Sequence, residues 1–219
     1  NVAGVRDTVQ VRDDVTSTAG LIFAQGDIEL PGGFFITAGA SVNFLRYGFE
    51  RVAPDPRVIQ ERIFDAVFSP RLAVLRKFSD ALSVFASYSD GFSPPSLAEV
   101  RPSTNTFSNS LKAETGNNLE AGARGMFSDR FGYDIVVYDF RLRNTIVVQR
   151  NDEGADYFVN AGKTSQRGIE ALASYDFGNE DAFLSRFKVW ASYAYQHYRF
   201  KEYVIIDEDF SGNALTGIA

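Results

Sequence analysis

The sequence predicts an all-β fold, an antiparallel up-and-down transmembrane β-barrel segment of about eight strands. Three observations carry this. Apolar and polar residues alternate one by one through most of the chain, the period of a strand set between two environments. Several alternating runs reach the roughly 9–11 tilted residues that cross a bilayer, longer than the roughly 5–6 usual in soluble sheets. The connections alternate between tight turns and long loops, the asymmetry of a membrane barrel.

The first run, Gly20–Leu30, sets Ile22, Ala24, Ile28 and Leu30 against Gln25, Asp27 and Glu29. Pro31-Gly32-Gly33 is a tight turn into Phe34–Phe44, where Ile36, Ala38, Ala40 and Val42 oppose Thr37, Gly39, Ser41 and Asn43. Glu29 and Phe35 share parity, so a three-residue turn keeps one polar face continuous. A long link follows, from about Tyr47 to Glu61, carrying Pro54 and Pro56. The run Phe64–Leu75 is weaker, and Pro70 inside it predicts an edge or a bulge. After the short link Lys77–Asp80, Leu82, Val84, Ala86 and Tyr88 oppose Ser83, Ser87 and Ser89.

Phe92–Ala113 is a long loop with Pro94, Pro95 and Pro102. Leu119, Ala121 and Ala123 then oppose Glu120, Gly122 and Arg124, before the short turn Ser128–Arg130. The clearest alternation is Asp134–Val148: Val136, Tyr138, Phe140, Leu142, Ile146 and Val148 predict an apolar face, and Asp139, Arg141, Arg143 and Thr145 a polar one. A two-residue turn at Asp129-Arg130 would bring Glu120 beside Asp139 or, diagonally, Arg141, a favourable cross-strand pair. The last runs are Ile169–Tyr175 and Phe187–Tyr195, flanked by the polar links Arg150–Tyr157 and Gly178–Ser185.

Composition narrows the function classes. The 22 basic and 28 acidic side chains of this 219-residue chain leave a formal charge of −6, which disfavours nucleic acid as a partner. Cysteine is absent and histidine occurs once, so neither a thiolate site nor a histidine cluster can form. No apolar run exceeds four residues, far short of a transmembrane helix. Yet 45% of residues are hydrophobic, which excludes a disordered chain; spread over every second position, they make a lipid-facing band instead.

Several motifs resemble those of TonB-dependent outer-membrane receptors. They are Tyr88–Gly91 with Phe92-Ser93-Pro94-Pro95-Ser96-Leu97-Ala98-Glu99, then Glu114-Thr115-Gly116-Asn117-Asn118-Leu119-Glu120, then Tyr138-Asp139-Phe140 with Asn144 and Ile146. Tyr157-Phe158-Val159-Asn160-Ala161-Gly162-Lys163-Thr164, running on to Gly168-Ile169-Glu170, is the most specific piece, and Ser211–Gly217 looks like the descending entry to a further strand. The resemblance implies an active importer of a scarce nutrient, most often a ferric siderophore, in the outer membrane of a Gram-negative bacterium. Such a receptor has about 22 strands around a plugged lumen. The chain 1–219 is then expected to be an internal piece of the carboxy-terminal half of the barrel, without the plug that meets the TonB energy-coupling protein and without the closing strands. Outer-membrane lipid, the coupling protein and the nutrient are the implied partners; no cofactor is implied.

Two other readings stay open on the pattern alone. The strands would close on themselves as a small adhesin- or porin-like barrel, or a soluble β-sandwich would bind glycans with its apolar faces buried against one another. No catalytic constellation is visible, and no enzyme is predicted: Glu120, Asp139 and Glu170 lie near arginines and read as structural ion pairs. Tyr133, Tyr138, Tyr193 and Tyr195 read as an interfacial aromatic girdle, and His197 as a solvated rim residue. Ligand-binding candidates on the loop side are Phe92, Arg101, Phe107, Tyr157 and Tyr198, where an arginine would attract an anionic chelate and aromatic rings would stack on it. Glu120, Arg124, Asp139, Arg141, Arg143 and Glu170 are expected to face the lumen.

Overall fold

Long alternating segments satisfy their backbone groups only by pairing sideways, and this chain does so in a single antiparallel sheet. The structure, a computed structural model, describes residues 12–53, 56–102, 108–178, 187–205 and 208–215. Its strands are β1 (Arg12–Leu30), β2 (Phe34–Ala53), β3 (Val58–Ile63), β4 (Val67–Ser79), β5 (Leu82–Ser93), β6 (Glu114–Phe127), β7 (Phe131–Arg150), β8 (Asp156–Asp176), β9 (Lys188–Ile205) and β10 (Glu208–Asp209). One helical turn, α1 (Leu97–Val100), interrupts them. Spatial order follows chain order, except that β3 pairs with the upper half of β2 and β4 with its lower half. The expected eight runs are all present; β3 and β10 are short additions.

The strands overrun the bilayer. β2 and β7 have 20 residues and β8 has 21, about twice the span a membrane needs. The predicted link from Tyr47 to Glu61 is therefore not a loop: β2 continues to Ala53 and β3 returns along it from Val58 to Ile63. Pro70 sits inside β4 opposite Ala40, at the level where the β4–β5 ladder stops, so its missing N–H breaks no pairing there.

Register sorts the side chains into two faces. One unbroken row runs Ile28–Ile36–Val74–Ala86–Ala121–Val137–Ile169–Tyr195 across the eight long strands. Ile28, Ile169, Val137 and Tyr195 in it stay exposed, Val137 at 46% and Tyr195 at 51%, and Ile36 and Val74 are half-buried. No second sheet covers this face among the described residues, so it is not the inner face of a sandwich but the lipid side of a wall. On the other face the corresponding row is Asp27–Thr37–Ala73–Ser87–Glu120–Tyr138–Gly168–Gln196, polar at most positions, and this is the lumen side. Among the described residues β1 does not pair with β9 or β10, so the sheet is open and does not close as a small barrel.

The β6–β7 turn corrects one expectation. Phe127 pairs with Phe131, so the turn holds three residues, with Ser128 and Asp129 in the left-handed region at φ 54°. The two-residue turn would have placed Glu120 beside Asp139; the extra residue moves its partner to Tyr138 and reverses every side chain of β7. Asp139, Arg141 and Arg143 consequently stand on the outer face with Val137, not in the lumen, and Val136, Tyr138, Phe140 and Leu142 face inward. Tyr138 therefore leaves the expected girdle. Phe127, Phe131 and Tyr133 form an aromatic cluster at the tight-turn end, with centroids 5.7 and 6.4 Å from Phe127 and Phe131 to Tyr133.

At the same end, β6 presses on the β4–β5 turn. A Cβ on Gly125 would lie 2.0 Å from the Ala81 carbonyl oxygen, a backbone atom that cannot swing aside. Gly125→Ala is expected to destabilise the wall by about 1–3 kcal/mol through overpacking. Gly91→Ala, with open space at its Cβ, should stay within about 0.5 kcal/mol. The temperature at which the full-length protein loses its heat-modifiable electrophoretic mobility measures both.

Candidate functional site

The long connection between β5 and β6 is where the sequence departs from strand chemistry. Pro94 and Pro95 cannot donate to a ladder, and Ser96 and Glu99 then form a capping box: Glu99 N donates to Ser96 Oγ at 3.3 Å and Ser96 N to Glu99 Oε2 at 2.6 Å. The turn they start, α1, aims Val100 into the wall, where it is fully buried against Tyr47 and Phe49 and flanked by Leu45 and Phe64. Tyr47 and Phe49 are lumen-side residues of β2 above the membrane band. The described parts of the loop, 94–102 and 108–113, thus fold inward, over the inner face.

Polar bonds fix it there. Tyr47 Oη donates to the Pro95 carbonyl at 2.9 Å, and Arg62 Nη2 to the Leu111 carbonyl at 2.8 Å, with Leu111 itself buried. The Arg62 guanidinium lies 5.1 Å over the Phe64 ring, which meets Tyr47 edge-on at 5.6 Å. At the far end the Asn160 amide clasps the loop: its Oδ1 accepts from Lys112 N at 2.7 Å, and its Nδ2 donates to the Lys112 and Asn144 carbonyls at 2.9 and 2.7 Å. The loop is a strap tied to β1 and β2 on one side and to β7 and β8 on the other.

Asp13 is the electrostatic centre of the strap. Its Oδ1 accepts from Arg51 Nε at 3.1 Å, and its Oδ2 pairs with Arg101, the residue that ends α1. All three side chains are largely buried, at 13–23% exposure. Burial pushes the Asp13 carboxyl up, but the hydrogen bonds and charges of the two guanidiniums outweigh it and hold the group below its ordinary value. Arg101 also sits 5.8 Å over Phe49, so it joins the apolar and the ionic parts of the contact.

The sequence-predicted residues are scattered over this geometry. Arg101 anchors the strap to the wall. Tyr157 lies on β8 near the β7–β8 hairpin tip and donates to Gln149 at 2.7 Å. Phe92 is half-buried at the end of β5, on the parity of Tyr88. Tyr198 is not on a loop: it is a lumen-side residue of β9, its hydroxyl 2.7 Å from that of Tyr138. The Tyr138 ring lies over Gly168, where a Cβ would come within 2.6 Å of the ring carbon Cζ. Phe107 falls outside the described residues. Glu120, Arg124 and Glu170 have lumen parity, with Glu120 accepting from Asn118 Nδ2 at 2.6 Å and Arg124 5.4 Å over Phe85. His197 is on the outer face, accepting from Arg199 Nε at 3.0 Å.

What the fold assembles instead is Asp13, Tyr47, Arg51, Arg62 and Asn160 around the strap. The capping box Ser96-x-x-Glu99 was a readable sign of order in the loop. The pairing of Asp13 with a residue 88 positions away was not.

The profile of the family described as "TonB dependent receptor-like, beta-barrel" matches residues 1–219. Among solved structures the chain is similar to the siderophore receptor PiuA from Acinetobacter baumannii, with a TM-score of 0.70 at 15% identity over 93% of this chain and 30% of that one. It is similar to the unliganded ferric citrate transporter FecA, with a TM-score of 0.68 at 20% identity over 90% of this chain and 29% of that one. It is also similar to the copper transporter OprC, with a TM-score of 0.67 at 15% identity over 90% and 30%. The chain spans less than a third of the length of each of these proteins.

The depressed Asp13 carboxyl contributes docking energy that is present above the unfolded value near 3.8 and lost as pH falls through the lower folded value. A nitroxide on Ser110→Cys in the full-length protein is expected to be immobilised at neutral pH and to gain mobility below about pH 4. Asp13→Asn should raise that mobility at neutral pH as well, because it removes the charge that both arginines meet. Electron paramagnetic resonance line shapes read both effects.

Proposed function

The chain belongs to the TonB-dependent receptor β-barrel family, and from that premise we propose that it is a wall segment of a longer outer-membrane importer that takes up a ferric siderophore. Members of this family are transporters of the Gram-negative outer membrane, not enzymes. The observation that carries the reading is the strap: a long loop docked over the lumen face of a lipid-facing wall, at the end where a ligand would enter. The open edge at β1 and the short pairing beyond β9 supply partners for further strands, since an unpaired edge in hydrocarbon costs several kcal/mol per backbone group. The plug and the contact with the TonB energy-coupling protein would lie elsewhere in the longer protein.

The ligand class rests on relatives of low identity, two named for iron ligands and one for copper, so the substrate is the quantity to test. In cells deleted for the full gene, uptake of radiolabelled ferric siderophore under iron limitation is expected to fall and to return with the intact gene. Replacing residues 94–113 by a short Gly-Ser linker should reduce uptake at least about tenfold with the barrel still present in the outer membrane, because the loop would carry the binding residues. Iron uptake indifferent to the gene, or a requirement for it in copper uptake instead, would overturn the ferric assignment.

A further inference from the structure

A crease crosses β7, β8 and β9 at one height. Arg143 pairs with Lys163 and Lys163 with Glu202, and beside them the register slips on all three strands. Thr145 faces Gly162 and Ile146 faces Asn160, so Asn144 on β7 and Ala161 on β8 have no opposite number; Lys201 is skipped on β9. Each such bulge bends its strand and steepens the local twist. Asn144 takes the left-handed conformation, at φ 56°. The crease is also tight: a Cβ on Gly162 would lie 2.8 Å from Thr145 Cβ. Thr145 Oγ1 is buried there with no hydrogen-bond partner among the described residues.

Above the crease the wall thins to two strands. Among the described residues the β6–β7 ladder ends at Thr115–Arg143 and the β8–β9 ladder at Gly162–Tyr203. From Thr145 to Asn160, β7 and β8 therefore pair only with each other, and a lone two-stranded hairpin is marginal. Near its tip the hairpin is braced: Arg150 pairs with Asp156 at 2.8 Å and Tyr157 donates to Gln149 at 2.7 Å. At its base it is held by the strap. The Asn144 carbonyl accepts from Asn160 Nδ2 at 2.7 Å, and the Ile146 N–H donates to Glu114 Oε1 at 2.8 Å. The same Asn160 amide holds both polar backbone groups of Lys112, and Glu114 is the residue at which the strap enters β6. The last residues of the strap thus complete the backbone pairing that the crease leaves open.

We infer that the crease is a hinge and that the strap's end, Lys112 to Glu114, is its lock. With these residues seated, Asn160 and Glu114 satisfy the crease and fix the angle at which the hairpin 145–160 leaves the wall. Lifting the strap removes the Lys112 partner of Asn160 and draws Glu114 from Ile146, and the hairpin then swings as one body. Ile146, Val148 and Phe158 share the face of Asn160, which turns toward the strap, so the swing moves an apolar face across the mouth of the lumen. The position of the hairpin thereby follows the occupancy of the strap's seat. The inference stands on the pairing geometry and is independent of which ligand the importer carries.

The test measures distances between paired nitroxides in the full-length protein. One pair joins Thr18→Cys on β1 to Glu153→Cys at the hairpin tip; a control pair joins Thr18→Cys to Arg130→Cys at the tight-turn end. The lever from Thr145 to Glu153 is about 26 Å long, so each swing of about 10° moves the tip by roughly 4–5 Å. E114A, N160L and replacement of residues 94–113 by a Gly-Ser linker are each expected to add a tip population displaced by at least about 5 Å. E114Q, which keeps the acceptor for Ile146, should match the unaltered protein. N160L should add nothing once the strap is replaced, because lock and latch then act as one unit. The control pair should stay constant throughout, and heat-modifiable mobility reports that each wall is intact. A tip that holds its distance after the strap is replaced overturns the lock. An equal shift in the control pair overturns the crease as the hinge. A further shift from N160L in the strap-replaced protein overturns the strap's part in it.

Discussion

The sideways hydrogen-bond ladder is the constraint on which everything else in this structure depends. In hydrocarbon an unpaired peptide group costs several kcal/mol, so each strand must be bonded along the whole height it spends in the membrane. Such a ladder has a side-chain period of two, and its register couples each strand to the next. The row from Ile28 to Tyr195 shows the result: eight strands, each contributing an apolar residue at one level on one face. Turn length sets the parity of the strand that follows. Phe127 opposite Phe131 puts Ile135 and Val137 toward lipid; a turn one residue shorter would put Asp134, Val136 and Tyr138 there.

Above the membrane the same strands meet a different demand. The upper half of β2 turns Leu45, Tyr47 and Phe49 inward, apolar side chains on a face that is polar lower down. Something must cover them, and the strap does so with Val100; Pro95, Val100 and Leu111, all on the strap, are the largest fully buried side chains among the described residues. A wall one sheet thick has no interior of its own. Its core lies where a loop lies down on it, and the Asp13 charge centre locates that contact along β1 and β2.

How much of this was legible follows from the range of each signal. The eight runs, the tight turns at Pro31–Gly33 and Ser128–Arg130 and the long loop after Phe92 are local, and they stand in the structure. The upper half of β2 has the pattern of a link because Arg46, Tyr47, Gly48, Phe49 and Glu50 carry both chemistries at once: the outer face there has left the lipid and the inner face has gained a cover. β7 misled for a related reason. Its inward residues 136–142 are more continuously apolar than its outward ones, since Tyr138 and Phe140 lie over the glycines of neighbouring strands at 168 and 116. The pattern within one strand thus reported packing against glycine as though it were contact with lipid.

The sequence by itself determined that the chain is a sheet of long alternating strands with turns at one end and loops at the other, because period and turn chemistry are written in neighbouring residues. It determined that no transmembrane helix and no thiolate site would be found, because composition alone decides those. Only the tertiary structure decided which face of β7 meets the lipid, since one residue in a turn sets it. Only the tertiary structure joined Asp13 to Arg101 across 88 residues and placed Tyr198 against Tyr138. These are contacts between strands and loops distant in the chain, and their geometry exists only once the ladder has fixed how high each strand stands beside the next.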